Sequence, residues 1–145
     1  METKQGEFFA VKCRRLGAAA GNVALGCNLF ELAPGKTAMP FHMHYGIEEA
    51  MYVLRGTGTL RLGNERHAVK AGDYVAFLAE GDAHQLTNTG GDPLEYLIVS
   101  TVSASDVVVY PDSNKVGVIA GTDSMRAHFF EESSAVGYWH GEQTG

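Results

Sequence analysis

Apolar residues arrive in short runs rich in Val, Leu, Phe and Tyr, and glycine-bearing turns break each run from the next. In an extended chain successive side chains point to opposite faces, so Met51 and Val53 share one face and Tyr52 takes the other. This two-residue phasing predicts strands over 23–32, 38–44, 50–55, 59–62, 66–69, 74–78, 84–88, 94–102, 107–110 and 115–119. Turn chemistry separates them, at Pro34-Gly35, Gly56-Thr57-Gly58, Gly63-Asn64, Ala71-Gly72-Asp73 and Gly90-Gly91-Asp92-Pro93. No segment sustains apolar residues at i, i+3 and i+4 for long. Ala18-Ala19-Ala20, followed by Gly21, reads as a loop or a single turn, and a short helix is expected only around 124–133. The pattern is all-β, a sandwich or a barrel.

Length and composition narrow this picture without changing it. A chain of 145 residues, 45% apolar and 19% charged, is expected to form one domain with a buried core. The formal net charge of −6, with no basic patch beyond Arg14-Arg15, excludes a non-specific nucleic-acid or anionic-membrane binder. Cys13 and Cys27 match no zinc-ribbon spacing; two reduced thiols are expected, with a disulfide between them as the alternative. The first residues, Met1 to Glu7, lack the basic start and apolar run of a signal peptide, and no apolar stretch reaches membrane-span length. A cytoplasmic location is the expectation. Residues 120–145 look less regular but carry Phe129, Phe130, Tyr138 and Trp139. Each such side chain gains roughly 1.5–3 kcal/mol on burial, so the tail is expected to dock on the barrel or on a partner subunit.

The candidate chemistry is concentrated in 42–56. His42 and His44 lie at i and i+2, on one strand face and about 7 Å apart along it. Glu49 shares the face of Met51 and Val53, whereas Glu48 falls outward or into the turn. A fourth donor, His84, stands in a separate predicted strand, in phase with Leu86 and Asn88. Imidazole nitrogen with carboxylate oxygen suits iron, manganese, zinc, nickel or copper. His67, His128 and His140 lack such company and read as surface or docking histidines.

These residues carry a resemblance. The stretch 35–56, with Gly35, His42-Met43-His44, Glu49 and Gly56, resembles the first motif of the cupin superfamily. The stretch 72–88, with Gly72-Asp73, Gly81-Asp82-Ala83-His84 and Asn88, resembles the second. The resemblance implies a double-stranded β-helix, or jelly-roll, barrel over about 21–119, with His42, His44, Glu49 and His84 at the four metal-ligand positions. Two departures are visible. Six residues lie between Gly35 and His42, one more than the family spacing, and Leu78-Ala79-Glu80-Gly81 carries one extra residue and no proline. The extra residue is expected to form a bulge that re-aims the approach to His84. Asp106 to Val118 and Tyr138 to Glu142 are similar to a subgroup of small bacterial cupins, some labelled sugar-phosphate isomerases, in which glycine replaces Asn114.

Three functions follow as expectations. One is a metal-dependent enzyme, a dioxygenase or isomerase, acting on a small organic acid, ketone or sugar. Another is a non-catalytic small-molecule or metal-binding sensor or accessory module. The third, a sugar-phosphate isomerase, wants a cationic cluster, for which Arg55 and Arg61 are the nearby residues. Candidate polar partners of the metal are Tyr52, Arg61, Gln85 and Asn88; Tyr52 and Arg61 are phased outward, so a solvated or interface role is expected for them. Inward apolar residues, Met51, Val53, Leu60 and Leu62, are expected to keep water out. A homodimer is expected, both from the family's habit and from the aromatic tail.

Overall fold

The computed structural model describes residues 1–121 and 126–143. Two strands precede the first predicted one, β1 (Glu2–Gln5) and β2 (Phe9–Arg15). In β2 Val11 and Cys13 turn inward while Lys12 and Arg14 face out, an alternation that the charged Arg14-Arg15 end obscures in the sequence. The single helical turn α1 (Leu16–Ala19) falls where one turn is expected. There follow β3 (Leu25–Leu32), β4 (Met43–His44), β5 (Glu49–Arg55), β6 (Thr57–Leu62), β7 (Glu65–Lys70), β8 (Tyr74–Phe77), β9 (His84–Thr87), β10 (Leu94–Thr101), β11 (Ser105–Tyr110), β12 (Lys115–Ala120) and β13 (Arg126–Glu131).

Two predictions change. The strand expected over 38–44 shrinks to β4, because Pro40 has no N–H to give a ladder; isolated bridges at Thr37 and His42 tie the segment to Thr87 and His84 instead. The helix expected around 124–133 is replaced by β13 over 126–131, while 124 and 125 lie outside the described residues. Aromatic Phe129 and Phe130 favour a strand, and the free edge of β12 supplies a ladder that a six-residue helix could not match.

The strands form a six-stranded sheet ordered β1-β2-β3-β10-β5-β8, a four-stranded sheet β13-β12-β11-β4 and a three-stranded sheet β7-β6-β9. The His42–His84 bridge joins the last two into one continuous wall facing the six-stranded sheet. Between the walls lies the core: Leu32, Met51, Val53 and Leu94 from one side, Leu60, Val69 and Leu86 from the other. This is the all-β jelly-roll barrel, with Met51, Val53 and Leu60 fully inward and Leu62 partly buried against them. Gly56 makes the tight β5–β6 turn at φ 86°, and a Cβ there would stand 2.6 Å from the Pro93 carbonyl oxygen. Only glycine fits.

Asn88 is completely buried and serves a turn, not the metal face. Its amide donates to the Leu32 and Asp92 carbonyls at 2.7 and 2.9 Å, and its oxygen accepts from the Gly90 N–H at 2.9 Å. Cys13 and Cys27 are free thiols, and burial pushes the Cys13 pKa up. In the tail, Phe129 reaches Tyr110 with ring centroids 6.0 Å apart, but Tyr138 and Trp139 remain 87% and 68% exposed on this chain. No helix among the described residues is long and apolar enough to cross a membrane.

Candidate metal centre

The four predicted donors meet at one place. His42 and His84 are direct cross-strand neighbours: the His42 N–H donates to the His84 carbonyl at 3.2 Å, and the His84 N–H returns the bond at 2.8 Å. Their ring centroids are 4.6 Å apart, and the His44 ring lies 5.0 Å from that of His42. Glu49 enters from the opposite wall, at the start of β5, on the face of Met51 and Val53. Its Oε2 stands 3.5 Å from His44 Nε2 and 3.5 Å from His84 Nε2. Donor atoms of His42, His44 and Glu49 all lie within 4.8 Å of one another. Two donors held about 2.1 Å from one ion stand about 3.0–3.4 Å apart, for right-angle to tetrahedral geometry, so the residues present fit a divalent metal. Glu48 is exposed, as its phase requires.

What aims these side chains is a set of outer contacts. His42 Nδ1 donates to the Pro40 carbonyl at 2.7 Å and His44 Nδ1 to Asp106 Oδ2 at 2.5 Å, which leaves Nε2 of both rings as the lone-pair donor. Asp106 Oδ1 also accepts from the Gly46 N–H at 2.8 Å. A Cβ on Gly46 would meet the Ser105 carbonyl at 2.9 Å and Asp106 Oδ1 at 3.1 Å, so glycine permits that approach. His84 is held differently. Its ring stacks on Phe77 at 3.8 Å and 11°, and its buried Nδ1 has no hydrogen-bond partner. The extra residue of the second motif resides in a turn: Glu80 adopts φ 59°, and its N–H fastens that turn to the His44 carbonyl at 2.8 Å.

Asp106 is the functional residue that the sequence reading passed over. It is buried, and it shares an inward phase on β11 with Val108 and Tyr110. The phasing argument that selects Glu49 selects it too.

Electrostatics agree with a ligand set. Burial, followed by the nearby His84 and His44, lowers the His42 pKa to about 4, against the opposing pull of its Pro40 hydrogen bond and Glu49. Burial pushes Glu49 up, but its hydrogen bond with His84 and the charges of His44, His84 and His42 outweigh that and hold its carboxyl below the usual range. A neutral imidazole beside a carboxylate is the protonation state that a metal requires.

Three of the donors, His42, Glu49 and His84, line a cavity of about 240 Å³ between the sheets, together with apolar residues including Phe30, Met51, Leu60, Leu86 and Ile98. Of the predicted polar partners only Gln85 lines it, its amide donating to the Met39 carbonyl at 2.9 Å. Tyr52 faces outward, as its phase implies. Arg61 lies 3.5 Å over the Phe41 ring and grips Asp112 with two bonds at 2.7 and 3.1 Å. His67 sits at the surface beside Glu65, and His128 and His140 are exposed on the tail.

Comparison with known proteins agrees with this architecture. The Cupin domain family profile matches residues 28–100. An oxalate-binding protein of Thermotoga maritima is 38% identical over 69 residues, covering 48% of this chain and 55% of that one. The chain spans about half the length of the curated relatives it matches, from 46% to 55%. Among solved structures, a protein of Acidithiobacillus ferrooxidans with a provisional sugar phosphate isomerase label superimposes with a TM-score of 0.80 at 30% identity, over 88% of this chain and 80% of that one. A protein of Silicibacter pomeroyi, described as a sugar phosphate isomerase from a cupin superfamily, gives 0.79 at 26% identity, over 86% and 78%. With its motifs, its barrel and a profile match across half its length, the chain belongs to the cupin domain family.

Proposed function

We propose that this cupin binds one divalent transition metal through His42, His44, Glu49 and His84, and uses it to hold and convert a small oxygen-donor organic molecule. The observation that carries this reading is the position of Glu49 Oε2, 3.5 Å from the Nε2 atoms of both His44 and His84. Iron, manganese, zinc and nickel all suit three imidazoles and a carboxylate. A metal so bound supplies Lewis acidity and keeps a coordination position for a substrate oxygen. The chain's own part is to fix the donors through Asp106, Pro40 and Phe77 and to keep water from the substrate with Phe30, Met51, Leu60 and Leu86.

Dioxygenase and isomerase chemistry are the two enzymatic forms of this reading. Among the described residues Glu49 is the sole Asp or Glu lining the cavity, and it is taken up as a ligand. The lack of a second carboxyl there supports a second reading, a metal-dependent binding module without turnover. The oxalate-binding and sugar phosphate isomerase labels belong to the relatives. A phosphate clamp here lacks support, because Arg55 pairs with Glu95 at 2.8 Å and Arg61 with Asp112. A cytoplasmic, homodimeric protein with a small-molecule ligand completes the proposal. Dioxygen consumption by the Fe(II)-loaded protein, screened against small keto acids, separates the readings: metal-dependent uptake supports the oxygenase form, and ligand binding without any turnover supports the module.

A further inference from the structure

Besides Gln85, whose amide donates to the Met39 carbonyl, the polar residues of the cavity outside the metal site are Asn28 and Tyr96. Both stand on the inward face of the six-stranded sheet: Asn28 pairs in register with Ile98, Tyr96 with Phe30 and Val53. Tyr96 is 3% exposed, and its ring stacks on Phe30 at 5.3 Å. Neither side chain is hydrogen-bonded to another described residue, and neither has an atom among the fully buried unpaired ones, so both polar groups stay open to a ligand or to water. Burial, then Cys13 and Glu49, drives the Tyr96 pKa upward, so its hydroxyl stays protonated and able to donate.

The charges point the same way. Among the described residues Glu49 is the only carboxylate on the lining, and no lysine or arginine stands there. Lys12, Arg55, Arg61 and Lys70 are engaged with carboxylates outside the cavity, at 2.7 to 3.1 Å. A phosphate or a second carboxylate would therefore be stripped of water beside Phe30 and Ile98 with no cation to meet it. At about 240 Å³ the space falls below the roughly 300–1,000 Å³ usual for drug-sized ligands.

From these observations, and resting on the metal reading above, we propose that the cavity selects a small α-keto or α-hydroxy acid. Its chelating head goes to the metal, and its uncharged, largely apolar tail ends in one oxygen received by Asn28 and Tyr96. Phosphorylated sugars and acids that carry a second carboxylate on the tail are excluded.

The test uses the full chain loaded with Mn(II), its metal content measured first, and calorimetric titration with three probes. γ-Hydroxy-α-ketovalerate is expected to bind at least about tenfold more tightly than α-ketoglutarate or glyceraldehyde phosphate, the cost of one poorly compensated charge. Tyr96→Phe is expected to weaken the hydroxylated probe about fivefold while leaving both metal content and binding of the tail-oxygen-free α-ketoisocaproate unchanged. Equal or tighter binding of either anionic-tailed probe overturns the proposal, as does an unchanged affinity in Tyr96→Phe. Should that variant fail to fold, the order of the wild-type probes decides alone. Failure to take up metal overturns the metal reading and this one together; metal uptake with no binding of the hydroxylated probe overturns this one only.

Discussion

His42 and His84 face each other across an antiparallel bridge and exchange both of their backbone hydrogen bonds, at 3.2 and 2.8 Å. Two of the four donors are therefore positioned as one cross-strand unit, and this single bridge also joins the two smaller sheets into a wall. His44 follows at the next inward position, and Glu49 closes the set from the opposite sheet. The site is thus a product of the seam of the barrel.

Asp106 fixes the tautomer and direction of His44. Asp106→Asn keeps the shape but weakens that hold, and the variant is expected to lose about 10- to 100-fold in metal affinity with a folded circular dichroism spectrum. Gly46→Ala is expected to do the same, because its Cβ would push on Asp106 Oδ1 and the Ser105 carbonyl. A competition titration with a chromophoric chelator measures both. Wild-type affinity in Asp106→Asn would show that the residue does not support the metal ligands.

The metal-free chain should weaken in acid. His42 titrates near 4 when folded against 6.5 for a free imidazole, so the unfolded chain takes up this proton first. Its contribution is therefore complete above about 6.5 and is lost progressively as the pH falls to about 4. Glu49, also lowered, adds a loss in the same direction below 4.5. Thermal unfolding of apo protein across this range is expected to show a falling Tm that is much flatter in His42→Asn.

Asn88→Ala separates fold from site. It leaves the Leu32 and Asp92 carbonyls and the Gly90 N–H without a partner, each costing about 1–3 kcal/mol where buried. Denaturant unfolding is expected to reveal a loss of several kcal/mol, whereas metal bound per folded chain should not change.

Phe130, Val136, Tyr138 and Trp139 are all more than half exposed on β13 and the segment after it. Surface of this kind marks association, and the chain is expected to sediment as a dimer at micromolar concentration, with Tyr138→Ser/Trp139→Ser shifting it to monomer. A monomeric wild type would contradict the expectation.

Much of this was legible in residue order. The alternation of Met51 and Val53 with Tyr52 marked the inward face of β5, and the same phase chose Glu49 over the exposed Glu48. His84 could be named because its strand, too, alternates cleanly. What escaped depends on contacts distant in sequence. Asp106 meets His44 from 62 residues away, and Asn88 shares the phase of His84 yet turns to the Gly90-Gly91-Asp92-Pro93 turn, because backbone groups there need partners. Strand β13 exists only because β12 offers it an edge, and β2 hides its alternation behind two arginines.

Elemental analysis of the purified wild type beside Glu49→Ala and His84→Ala, each after dialysis against a trace-metal buffer, decides whether these donors bind a metal. One transition-metal ion per wild-type chain is expected, with near-complete loss in both variants while they remain folded. No metal in the wild type at micromolar supply, or unchanged content in both variants, would contradict that expectation.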